Sequence, residues 1–102
     1  MTLIKHTDDF GKDWNIPFFD IENIDELHVH YRGEVYDAIK NSIIEMLCLG
    51  LDRIPSFSAS NMVFELNKDD VDNQLDSCIS YYSEIEEYET CSTLLNLKNT
   101  QS

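Results

Sequence analysis

Residues Val35, Ala38, Ile39, Ser42, Ile43, Met46 and Leu47 form one apolar stripe at helical spacing within 34–49. A helix with such a stripe must bury it against a second layer. The 102 residues leave room for one such core and for no second domain. Gly33 opens this predicted helix, and Glu34 and Asp37 stand in its first turn, where the helix dipole favours anions. Gly50 is a natural C-cap, and Pro55 prevents an early restart.

The rest of the chain reads as short strands and a second helical region. Leu3–His6 is a candidate first strand, and 7–17 reads as a polar loop punctuated by Gly11 and Pro17. Trp14, Ile16, Phe18, Phe19 and Ile21 make an apolar, extended cluster, with a turn over 23–26. Leu27, Val29 and Tyr31 alternate with His28, His30 and Arg32, the period-two pattern of a half-buried strand. Residues 53–60 read as a loop. Residues 61–66 read as a strand with Met62, Phe64 and Leu66 on one face.

From Asp69 the pattern is helical, with Val71, Leu75, Cys78, Tyr82 and Ile85 in one seam. Asn67 is a candidate N-cap, with Asp70 three residues on. Carried to Leu97, this helix would span roughly 43 Å. It would overhang a body whose expected radius of gyration is about 13 Å. The weak helix formers Thr90, Cys91, Ser92 and Thr93 therefore predict a break, after which Leu94, Leu95 and Leu97 pack back. The expected architecture is one α+β domain over 1–97, a small antiparallel sheet packed with two main helices, and a loose tail over 98–102. An all-helical fold is the alternative.

Charge narrows the function. Twenty acids against seven bases give a net charge of −13. Affinity for phosphate backbones comes from Lys and Arg displacing counterions, so direct nucleic-acid binding is excluded, and so is an anionic membrane surface. No apolar run approaches the ~18 residues of a membrane span. The expected partner is cationic, a basic protein surface or a metal ion, and self-repulsion predicts a monomer when free. The plain alternative is an acidic surface kept for solubility or for a salt-adapted cytoplasm. Cys48, Cys78 and Cys91 have no paired spacing of a metal knuckle or redox motif, and Cys48 and Cys78 fall in apolar helical patterns. With no signal-like apolar segment after Met1, a reducing cytoplasm is expected.

The 29 residues between Lys68 and Lys98 contain no Lys or Arg. Among them are Asp69, Asp70, Asp72, Asp76, Glu84, Glu86, Glu87 and Glu89, the candidate partner-binding residues. The first three acids suit a helix N-terminus. On one continuous helix the last four would oppose the dipole, without a cation at i±3 or i±4 to offset them. A rigid row of carboxylates offers a basic groove a series of anions comparable to phosphates, because Arg pairs with both in the same forked geometry. Asp8, Asp9, Asp13, Asp20, Glu22, Asp25 and Glu26 form a second acidic patch that includes Lys12 as its one cation. Tyr81 and Tyr88 are candidate interface anchors, whereas Tyr82 belongs to the apolar seam.

His28 and His30, on a strand, would point to one face and could take part in a metal site or act as a general base. No third ligand is placed by any motif, and no catalytic or cofactor motif occurs; neither enzyme activity nor a cofactor is expected.

In size and charge, and most locally in the segment Glu84-Ile85-Glu86-Glu87-Tyr88-Glu89, the chain resembles the small acidic DNA-mimic inhibitors of phages and mobile elements. These include anti-CRISPR and anti-restriction proteins. The resemblance implies a non-enzymatic inhibitor in the host cytoplasm that blocks target-DNA binding by a Cas surveillance complex. Lys5, Lys12, Arg32, Lys40 and Arg53 in the first half depart from the most extreme mimics and leave room for a single mimetic face. An immunity protein covering the basic cleft of a nuclease toxin shares the acidic signature and is the alternative.

Overall fold

The computed structural model describes residues 2–100. The elements run β1 (Thr2–Thr7), β2 (Asp13–Phe19), α1 (Glu26–His30), α2 (Arg32–Leu49), β3 (Arg53–Ala59), β4 (Met62–Asn67), a 3-10 turn (Lys68–Asp70), α3 (Val71–Glu84) and α4 (Tyr88–Thr100). The strands form one sheet in the order β1-β2-β3-β4. The outer pairs are antiparallel, but β2 and β3 are parallel, so the sheet is mixed and not wholly antiparallel. A parallel pair needs a crossover, and α1 with α2 supplies it. The fold is α+β, 34 × 33 × 19 Å, and its short axis is the thickness of two layers, each about 10 Å.

The stripe on α2 places the core. Ile43 and Met46, both almost fully buried, pack with Trp14, Ile16, Ile54 and Leu66 near the starts of β2 and β3. Val35, Ala38 and Ile39, earlier on the same stripe, pack with Phe19, Phe57 and Ala59 near the ends of those strands. Helix α2 therefore runs antiparallel to β2 and β3. It ends as expected: Gly50 takes a left-handed φ of 66°, and Leu51 donates its N–H back to the Met46 carbonyl.

Helix α3 lies beside α2 with opposite direction. Val71 and Leu75 join the Met46 end of the core, while Tyr81 stacks on Tyr36 near the start of α2 at 4.3 Å. A Cβ at Gly33 would approach the Tyr81 hydroxyl to 2.9 Å, so any larger residue there must displace the Tyr81 ring from its stack. Helix α4 folds back along α3. Leu94 is fully buried, Cys91 Sγ donates to the Ile79 carbonyl, and Lys98 pairs with Asp76.

Six expectations differ from this fold. Residues 27–31 are not a strand: Leu27 and Tyr31, four apart, turn inward on a helix and a helical junction, and Val29 is 73% exposed. Residues 53–59 are not a loop but the most continuously buried strand, and β2 takes 13–17 of the expected 7–17 loop, in keeping with the extended cluster read at Trp14, Ile16, Phe18 and Phe19. The helical break falls at 85–87 rather than at 90–93, which lie inside α4. The expected loose tail is helical as far as Thr100; residues 101–102 lie outside the described range. Asn67 and Asp70 make no side-chain cap.

Candidate functional site

Because consecutive elements are antiparallel or joined by a crossover, every chain junction lands at one of two ends. The first end gathers the β1–β2 turn, the α2–β3 junction and the β4–α3 junction. The second gathers the segment after β2, the start of α2, the β3–β4 turn and the α3–α4 turn. Helix α3, with 14 residues, separates them by about 21 Å.

The eight predicted binding residues are divided by this arrangement. Asp69, Asp70 and Asp72 lie at the first end, Asp76 lies along α3 and is paired with Lys98, and Glu84, Glu86, Glu87 and Glu89 lie at the second end. No single helical row of carboxylates exists. The α3–α4 turn is a full Schellman closure. Glu86 N–H bonds the Ser83 carbonyl, Glu87 N–H bonds the Tyr82 carbonyl, and Glu86 takes a left-handed φ of 63°. The turn starts a new helix, so Glu89 sits in the favourable first turn of α4 and not against a dipole.

At the first end the acids are diluted by cations. Asp8 is structural: it accepts the Trp14 indole N–H at 2.9 Å and the amides of Phe10 and Lys12. The Trp14 bond first, then the Lys12 amide, holds its carboxyl below the ordinary range. Asp13 pairs with Lys5 at 3.2 Å, and Asp9 with Arg53 at 3.8 Å. Arg53 also borders the recess formed with Asp52, Lys68, Asp69 and Asp70, so the start of the N-terminal patch joins the Asp69 group through Arg53.

The second end is different. Asp20, Glu22, Asp25 and Glu26, between β2 and the first turn of α1, and Glu34 on α2 lie toward the same end of the fold as Glu84, Glu86, Glu87 and Glu89. Among the described residues these nine carboxylates share that end with one Lys or Arg, Arg32. That guanidinium is engaged: it bonds Glu84 at 2.9 Å and lies over the rings of Tyr81 at 5.1 Å and Tyr36 at 5.9 Å. The Glu84 bond raises its pKa further. Ile24, Val29, Met62, Ile85 and Tyr88 are exposed at the same end, Tyr88 by 61%. Of the three candidate tyrosines only Tyr88 is thus left exposed, whereas Tyr81 is stacked on Tyr36 and Tyr82 is buried with its hydroxyl on Asp37. Burial, then the Asp37 bond, drives the Tyr82 pKa strongly upward. Ile85, expected in the apolar seam, is 47% exposed.

The histidine pair dissolves on α1. Two residues apart on a helix, His28 and His30 point to nearly opposite sides. Among the described residues no group of three His, Cys, Asp or Glu side chains is placed to hold a metal. The cysteines are free: Cys78 is fully buried and Cys91 partly, whereas Cys48, expected in the core, is exposed. No helix among the described residues is long and apolar enough to cross a membrane. Comparison with protein-family models, curated proteins and solved structures gives no match to this chain.

Proposed function

We propose that this protein is a nucleic-acid mimic that occupies a basic DNA-binding surface, as an anti-CRISPR does in blocking target-DNA binding by a Cas surveillance complex in the host cytoplasm. One observation carries the reading: nine carboxylates converge on one end from three separate chain segments, with a single guanidinium that its own Glu84 already holds. Fifteen of the twenty acids make no ion pair among the described residues. A surface built only for stability would place Lys or Arg among such acids. Here the one that is present, exposed by 45%, is held by Glu84 and lies over the rings of Tyr81 and Tyr36. The field that results speeds encounter with a cationic partner, and forked Arg–carboxylate pairs give it register.

The test is competition. The protein is titrated into a Cas surveillance complex bound to fluorescent target DNA at about 0.15 M salt. Displacement by the wild type is expected, with at least tenfold weaker displacement by Glu86→Lys/Glu87→Lys and near-wild-type displacement by Asp69→Lys/Asp70→Lys. Equal loss in both double variants refutes the assignment to the second end. No displacement from any DNA-binding complex, with tight capture of a nuclease toxin, replaces the reading by an immunity function.

A further inference from the structure

A cleft of about 330 Å³ opens at the acidic end between α1, α2 and α3. Its floor is apolar: Phe57 and Phe64 stack there at 4.7 Å, and Val35 and Ile39 of α2 line it beside Ile24. The cleft exists because α3 leans on α2 and leaves this end of the sheet uncovered, contributing only Gln74 and Ser77 to the rim. Its volume lies at the low end of the roughly 300–1,000 Å³ of ligand pockets, suited to one large side chain. The rim carries Asp25, His28 and Arg32; Arg32 is engaged by Glu84, so among the described residues the carboxylate left without an ion pair at the mouth is Asp25, with Glu22 and Glu26 close to it along the chain adding to the negative field. An anionic ligand is repelled at the mouth, and a neutral one gains nothing from the acids. The occupant that satisfies both floor and rim is an apolar side chain carried between cationic ones.

We infer that this cleft receives an aromatic or large aliphatic side chain from a basic segment of the partner protein. The inference rests on the proposed binding role of the acidic end and names the chemistry of its partner. It adds to phosphate mimicry an apolar contact that the phosphate backbone does not make. Hot spots of protein interfaces are of this kind, a buried apolar anchor inside a polar rim. The contact survives salt, whereas the charge contacts do not.

Two arginine heptapeptides serve as probes, one with a central Phe and one with a central Ala. Binding is measured by fluorescence anisotropy at about 0.15 M salt. The wild type is expected to prefer the Phe peptide by about tenfold, equivalent to 1.4 kcal/mol. Ser77→Trp, which fills the cleft from its exposed rim, is expected to abolish that preference and leave Ala-peptide binding unchanged; Gln74→Trp provides a second filling variant should the first misfold by circular dichroism. Methyl resonances of Ile24, Val35 and Ile39 are expected to shift with the Phe peptide alone. Equal binding of both peptides to the wild type overturns the cleft assignment and leaves the electrostatic reading standing. A Phe preference that persists in both filled variants also overturns it. Binding of neither peptide removes the acidic end as a basic-partner site altogether.

Discussion

Glycine in place of Glu86 is expected to make the protein more stable and a poorer binder at once. Glu86 closes the α3–α4 turn at φ 63°, where an L-residue pays roughly 1–2 kcal/mol for the contact of its Cβ with the backbone. Glycine removes that cost but loses about 0.5–1 kcal/mol through its greater freedom in the unfolded chain. The net gain is about 0.5–1 kcal/mol, or roughly 4 °C in melting temperature for a domain of this size. Removing the charge has its own effect beside Glu84, Glu87 and Glu89, so Glu86→Ala is the reference: it deletes the same carboxylate and keeps the strained backbone. Urea unfolding of both variants isolates the backbone share as their difference. Glycine and alanine variants of equal stability would show that the turn does not hold residue 86 in the left-handed region, and the Schellman closure would be wrong. Both variants are expected to displace DNA less well than the wild type, since both lack the carboxylate. A glycine variant that gains stability and binds fully would take Glu86 out of the binding face.

Leu94→Ala is expected to cost about 2–5 kcal/mol, because the side chain is fully buried and its loss leaves a cavity between α4 and the core; chemical denaturation measures it, and a change under ~0.5 kcal/mol would mean that α4 is not docked. Asp8→Asn is expected to destabilise the protein above the ordinary Asp range near ~3.9 and to matter progressively less as pH falls through the depressed native value, since a lowered carboxyl pKa contributes stability only while ionised. Unfolding curves at several pH values should converge for wild type and variant in acid. Cys78 is raised to about 11 by burial, so its thiol should resist alkylation at pH 8 while exposed Cys48 reacts first; mass spectrometry of timed iodoacetamide labelling reads the order. The same shift, an acid raised from 9.0, leaves the Cys78 contribution intact below pH 9 and removes it as pH climbs toward 11.

Where local pattern and tertiary demand agreed, the residues could be read directly. The α2 stripe and Gly50 predicted that helix and its end, and Leu94 and Leu97 predicted a segment packing back. Strand β3 was concealed because Pro55, Ser56 and Ser58 are loop-like residues. They are tolerated in a buried strand because the Ser56 hydroxyl bonds Ser42 on α2, the Ser58 hydroxyl bonds the Met62 carbonyl, and the register shifts at Pro55/Phe57. Residues 27–31 fit both periods, since Leu27 and Tyr31 are an even number apart and also one helical turn apart. Glu86 could not be recognised as a helix terminator, because glutamate is a good helix former and only the packing of α4 on α3 forces it into a left-handed turn.

The amino-acid order alone determined the charge excess and the two amphipathic helical regions, because these depend on residue type and on spacing within a single element. Which acids act together was decided only by the tertiary structure. Asp20 and Glu26 stand some sixty residues from Glu86 and Glu87 in sequence, yet they share an end, whereas Asp70 and Glu84 bound a single helix and lie at opposite ends. The physical reason is the length of the elements: each strand or helix carries the chain across the molecule once, so proximity follows the parity of crossings and not the distance along the chain.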